Sequence, residues 1–340
     1  MYQTFVQIRH EEQRSPVADP VEAKIAVMRP ILASVLHSLG NEVVEALGYQ
    51  ARDLSRGNIP LHLLGRLRSE GDGDVGIAFE YAIHEAIRSG NQDVTERVAD
   101  ALKKCRIKEG APASIFFAIE KSGSERLIST ETDLITENSR ALSGKQGQPI
   151  KLKNHLSVLA AAFRRPTTRP SLPQSIRGLW KADLFLGSSV PDHWVGTTVK
   201  TNPRHLEGAT GLRIGIVPSK SGSSDAVTLD ETRGLVICPV PHDGSYMQVF
   251  YETWRIAQVL MRTDFETPTE SQLPSPEDRE VARVFSQRRK FTIATVIEDT
   301  EAFAQPKLLA TNVIEVSQQS LRHTSGPATS TLVVPQPLQD

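Results

Sequence analysis

The sequence predicts an α/β protein in which a mixed sheet is flanked by helices and a helical region comes first. Three observations lead there. Apolar residues recur at intervals of three and four through roughly the first 110 positions, the period of a helix that buries one face. Further on, 211–218 and 234–241 are nearly continuous apolar runs, as expected of strands in a covered sheet. Between these regions, two short apolar segments flank Ser188-Ser189-Val190-Pro191-Asp192, whose Ser, Pro and Asp content breaks pairing and reverses the chain.

Residues 21–47 carry Ile25, Met28, Ile31, Leu32, Val35, Leu36, Leu39, Val43, Val44 and Leu47 in helical register, with Pro30 and Gly40 as interruptions. One or two core-packed helices are expected. Residues 60–67 predict a short helix, and 70–74 (Glu-Gly-Asp-Gly-Asp) a flexible turn that lacks the terminal glutamate of a calcium loop. An amphipathic helix follows over 76–87, with Phe79, Ile83 and either Ala86 or Ile87 at core spacing and Glu80 beside that stripe. A strand is predicted over 113–120, a helix over 152–163, and a basic linker over 164–170. After the two apolar runs, 246–261 predicts a helix, 264–279 a Pro/Ser/Glu-rich linker, 280–309 further helix, and 324–340 a disordered tail. The expected organisation is a helical region over 1–74, an α/β core over 75–262, a helical extension over 263–323 and the tail.

The central hairpin concentrates the chemistry. Its first segment, Trp180 to Gly187, contains the lone carboxylate Asp183, and its second ends in Thr197-Thr198-Val199-Lys200. Because successive strand residues point to opposite faces, Val195, Thr197 and Val199 share one face and Trp194, Gly196, Thr198 and Lys200 the other. A carboxylate near the start of one strand and a lysine on its neighbour can bind a divalent metal and hold water beside a phosphate. The carboxylate is a hard oxygen ligand; the ammonium orients the nucleophile or offsets charge growing on the phosphorus oxygens.

These residues resemble the PD-(D/E)xK nuclease superfamily, the restriction-endonuclease-like fold. The resemblance covers roughly residues 75 to 262. It implies that Asp183 is the metal-binding aspartate and Lys200 the catalytic lysine. The acidic residue two positions before the lysine is replaced by Thr198, a neutral and weaker ligand, and this departure bears on catalysis rather than on the fold. Members commonly place a glutamate from an early helix against the metal, which implies that Glu80 supplies the second carboxylate. Mg²⁺ would then be held by Asp183 and Glu80, and the activity implied is metal-dependent endonucleolytic cleavage of double-stranded DNA in a bacterial restriction or anti-phage defence system. The alternative is a nuclease-fold subunit without catalysis that binds nucleic acid or scaffolds a complex. Gln248 and Tyr251 are similar to the Gln/Tyr signature of RecB-like nucleases, but one residue short in spacing, and read as ordinary helix residues.

Charge supports a nucleic-acid partner locally, not globally. Net charge is −1, yet residues 151–213 carry ten basic side chains against three acidic ones. Arg164, Arg165, Arg169, Lys181 and Arg204 belong to this patch and are candidate phosphate contacts, since Lys and Arg release condensed counterions when they neutralise phosphates. His84, His193 and His205 are candidates for proton transfer. Only Cys105 and Cys238 are present, far apart, so neither a zinc knuckle nor a disulfide framework is expected. No Walker-type Lys-Ser/Thr and no Gly-x-Ser-x-Gly elbow occurs, leaving nucleotide hydrolysis and serine hydrolysis without support. No apolar run approaches a membrane span and the first residues lack the form of a secretory signal, so a cytoplasmic protein is expected. For the activity the resemblance implies, the N-terminal helices would recognise DNA or form a homodimer, because two cuts in a duplex are simplest with two sites related by a twofold axis. A partner protein of the defence system is a further expectation.

Overall fold

A computed structural model of the chain describes residues 20–39, 58–67, 74–116, 134–142, 149–220, 224–242, 246–300 and 303. Its first helix, α1 (Pro20–Ser38), runs unbroken through Pro30. The expected interruption does not occur. A proline inside a helix costs about 3 kcal/mol through a lost hydrogen bond and a ring clash, but Ile25, Met28, Ile31, Leu32 and Val35 are all buried on this helix. Full burial of one such side chain contributes about 1.5–3 kcal/mol, so packing outweighs the proline. Gly40 and the predicted helix beyond it, the turn at 70–73, the end of the strand at 117–120 and the tail at 324–340 lie outside the described residues.

A 3-10 turn (Leu61–Leu63) and one α turn (Leu64–Leu67) come next, then α2 (Asp74–Arg88) and α3 (Gln92–Lys104). The junction of these two helices is set by Asn91, whose side chain accepts the Val94 N–H at 3.1 Å and caps α3. The sheet is built from β1 (Ala113–Phe116), β2 (Arg140–Ala141), β3 (Ile150–Lys151), β4 (Leu184–Ser188), β5 (His193–Val199), β6 (Leu212–Pro218), β7 (Thr228–Asp230) and β8 (Leu235–Val240). Its main order is β1-β4-β5-β6-β8-β7. The β1/β4, β4/β5 and β7/β8 pairs are antiparallel, whereas β5/β6 and β6/β8 are parallel, so the sheet is mixed. β2 lies parallel to the start of β5 and antiparallel to β3. At two or three residues each, β2, β3 and β7 are too short to show a period in sequence.

Helices cover both faces. Leu184, Leu186, Val195, Val199, Ile214 and Ile216 join one apolar cluster with α1, α2, α3 and α5 (Tyr246–Arg262). Phe185, Trp194, Leu212 and Leu235 join the other, beneath α4 (Leu152–Arg164). The period-2 alternation of β4 and β5 performs this division. Between α4 and β4 the expected linker is wound into 3-10 turns at Pro166–Ser171, Gln174–Ile176 and Leu179–Lys181. The last of them abuts β5, where a methyl group added at Gly196 would collide with the Leu179 side chain. Gly211, at φ +97°, passes close to the same turn.

The C-terminal helical prediction divides into α6 (Pro276–Gln287) and α7 (Ile293–Asp299). The break has a backbone cause. Leu61 and His62 donate to the carbonyls of Phe291 and Arg289, and Ile293 donates to Ile59, each at 2.9 Å, which takes these groups from a continuing helix. α6 begins inside the expected linker because Ser275 accepts the Asp278 N–H at 3.4 Å and Pro276 sits at the first helical position.

Candidate active site

Antiparallel pairing of β4 with β5 sets Leu184 opposite Thr197, and the Asp183 N–H donates to the Thr197 carbonyl at 2.9 Å. Asp183 therefore stands immediately before β4, not within a strand starting at Trp180. The 3-10 turn over Leu179–Lys181 takes up those residues because the Gly178 N–H donates to Thr210 at 2.7 Å and Lys181 N–H folds back to Gly178. At the far end of β5, the Lys200 N–H donates to the Ile216 carbonyl at 3.0 Å. One strand entrance and one strand exit thus lie side by side.

Four of the residues singled out in the sequence meet there. Asp183 Oδ2 accepts from the Val199 N–H at 2.8 Å, the Thr198 hydroxyl at 3.1 Å and the Lys200 ammonium at 2.7 Å. All three bonds go to one oxygen, which leaves Oδ1 for a ligand. Glu80 arrives from α2, buried to 4% exposure, with Oε1 3.5 Å from Lys200 Nζ. Lys200 is thus shared by two carboxylates. Burial pushes its pKa down, but the charges of Asp183 and Glu80 outweigh burial and the ammonium is held above its ordinary value. Lys200 is therefore protonated at neutral pH.

Asp183, Thr198 and Lys200, but not Glu80, open into a cavity of about 490 Å³ whose other lining residues are Trp180, Lys181, His205, Glu207 and Leu212. Lys181 forms an ion pair with Glu207, and this bond holds the Glu207 carboxyl below its usual range. Arg169 lies with its guanidinium carbon 3.6 Å from the centroid of the Trp180 ring, and its Nε donates to the Ala162 carbonyl at 3.1 Å. Among the described residues no group of three or more His, Cys, Asp or Glu side chains converges as a metal site.

The remaining candidates divide. His205 lines the cavity. His84 instead shares a 2.7 Å hydrogen bond with the Ser114 hydroxyl, and His193 sits at the opposite end of β5 from Lys200. Arg165 and Arg204 are exposed, Arg204 within the short turn Pro203–His205. The Arg164 side chain lies outside the described atoms. Gln248 donates to Glu252 at 3.0 Å, and Tyr251 rests against Phe250 and His242. Trp180 and Leu212 line the cavity without a sequence pattern that marks them for it. Gly178, which punctuates the start of the Trp180 segment, was the available signal for a turn there.

No helix among the described residues is long and apolar enough to cross a membrane. In comparisons with family models, characterised proteins and solved structures, none matches the chain.

Proposed function

We propose that this chain is a divalent-metal-dependent nuclease of restriction-endonuclease-like fold, hydrolysing phosphodiester bonds of DNA. The observation that carries the reading is that Asp183 and Lys200, from the ends of two strands, line one cavity while Lys200 also reaches the buried Glu80 of α2 behind them, at 3.5 Å. The donor set suits Mg²⁺, which is commonly held by one or two carboxylates with water and substrate phosphate completing the shell. Asp183 through Oδ1, and Glu80, would hold it, both offering hard carboxylate oxygens of the kind Mg²⁺ takes. When bound, the ion supplies Lewis-acid polarisation of the phosphoryl oxygens.

The chain's own residues account for the rest. Lys200, kept cationic by its two carboxylate neighbours, orients water and offsets negative charge that develops on the phosphorus oxygens. Thr198 donates to Asp183 Oδ2 and so fixes the rotation of that carboxylate. His205 lines the same cavity and is the candidate for proton transfer. The restriction or defence setting, the double-stranded substrate and the homodimer rest on the resemblance alone.

One observation favours a second reading, a subunit that binds nucleic acid or scaffolds a complex without cutting it. Residue 198 donates a hydrogen bond where an enzyme of this kind would present a carboxylate. Labelled single-stranded and duplex DNA, incubated with Mg²⁺, Mn²⁺ or EDTA, separates the two. Cleavage by the wild type in metal, absent in EDTA and in Asp183→Asn, supports the nuclease; binding with no cleavage under any metal supports the second reading.

A further inference from the structure

We propose that the cavity beside Asp183 receives one unstacked nucleobase, which stacks on Trp180, so that the chain prefers single-stranded nucleic acid to an intact duplex. The inference rests on the nuclease reading and names its substrate class. The cavity, about 490 Å³, has room for one base and its sugar. Its lining charges cancel, Lys181 and Lys200 against Asp183 and Glu207, so the walls exert no net pull on a polyanion. What they offer instead is an aromatic surface, an apolar patch at Leu212 and polar edges, the combination that suits a base.

Trp180 is set up for that role. Of the three tryptophans, Trp194 is fully buried and Trp254 nearly so, at 8% exposure, whereas Trp180 is half-buried and lines the cavity. The Arg169 guanidinium, tied to the Ala162 carbonyl, covers one face of its indole 3.6 Å from the ring centroid and fixes its orientation, and the Lys181 ammonium lies 5.4 Å from the centroid, so the base takes the face that Arg169 leaves. An aromatic ring whose orientation is already fixed loses little freedom when a base stacks on it. A base inside a duplex has both faces covered by its neighbours and cannot meet the indole unless it is first extruded, at the expense of unstacking. One phosphate flanking the bound nucleotide then falls at Asp183 and Lys200, as the nuclease reading requires, and the other is left to exposed arginines outside the cavity, such as Arg204, the neighbour of His205.

The test uses the full chain in EDTA, so that no strand is cut. Binding of a fluorescein-labelled oligothymidylate, an abasic strand of equal length and a duplex of equal length is followed by anisotropy, and tryptophan emission is recorded in parallel with unlabelled strands. The oligothymidylate should bind at least roughly 10-fold more tightly than either competitor, since one base–aromatic stack is worth about that factor or more. It should also quench emission where the abasic strand does not. Trp180→Leu should erase the preference for thymidylate over the abasic strand, and Trp180→Phe should keep most of it, which guards against a variant that merely misfolds. Equal affinity for all three ligands, or an unquenched wild type, overturns the inference. Cleavage is scored separately with Mg²⁺: a wild type that cuts duplex without preferring single strands overturns this inference and leaves the nuclease reading standing. Stacking without cleavage under any metal does the reverse.

Discussion

Asp183 has a structural duty beside its proposed chemical one. Its Oδ2 satisfies the Val199 N–H, the Thr198 hydroxyl, buried to 3% exposure, and the Lys200 ammonium. Removing the whole side chain therefore strands donors in the protein interior, which costs about 1–3 kcal/mol for each buried group left unpaired. Asp183→Ala is expected to lower the melting temperature measurably and Asp183→Asn, which keeps an acceptor, to lower it less; both should lose Mg²⁺-dependent cleavage. Thermal denaturation of the two variants beside a cleavage assay checks this. Lys200 gives a pH signature. Its folded pKa lies above the ordinary 10.5, so its contribution to stability is complete below that value and is lost as pH rises beyond it. In Lys200→Met the two carboxylates lose their shared cation and are left mutually repelling at neutral pH. The variant should be less stable than the wild type at neutral pH, as denaturant titrations of the two proteins would show or refute.

At the scale of elements, the junction of α3 with α5 contains a titrating contact. Asp93, in the first turn of α3, accepts the Tyr246 N–H at the start of α5 at 3.3 Å. Burial pushes its carboxyl up to about 6, a rise to which Glu96 and Asp225 add and which the Tyr246 bond opposes. Because the folded value exceeds the unfolded 3.8, this group's contribution is present below 3.8 and is lost as pH rises through about 6. Asp93→Asn, which retains the acceptor, is expected to stabilise the fold by roughly 1–3 kcal/mol at pH 7, with the gain vanishing near pH 4, as denaturant titrations at the two pH values would measure. The same scale shows what the sequence could and could not express. The hairpin was legible because its turn composition and alternation are local, and Asp183, Thr198 and Lys200 came with it. Glu80 was legible as a polar residue beside an apolar stripe. The 3-10 turn over Leu179–Lys181 left only Gly178 as a local signal, because it is set by a hydrogen bond from the Gly178 N–H to the Thr210 carbonyl, far along the chain. The division of the C-terminal helix was hidden for the same reason, as its cause lies in residues 59–62.

For the whole molecule, the basic residues over 151–213 are unevenly engaged. Lys181 is paired with Glu207, Lys153 with Glu137 at 2.5 Å, and Arg169 packs on Trp180, while Arg165, Arg177 and Arg204 remain exposed. Replacing Arg165 and Arg204 by alanine should flatten the dependence of log K on log[salt] by about 0.7 for each phosphate no longer neutralised on single strands, or about 0.9 on duplex. Salt titrations of binding in EDTA would measure it, and unchanged slopes would assign those arginines to solvent. The close seating of the Leu179–Lys181 turn on β5 has a mechanical corollary. Gly196 does not line the cavity, yet the backbone there props the turn from behind, and a methyl group would press on Leu179, the residue before Trp180. Gly196 is in effect an adjusting screw for the far wall: Gly196→Ala should tilt the indole and change which bases fit, altering selectivity from a place no ligand touches.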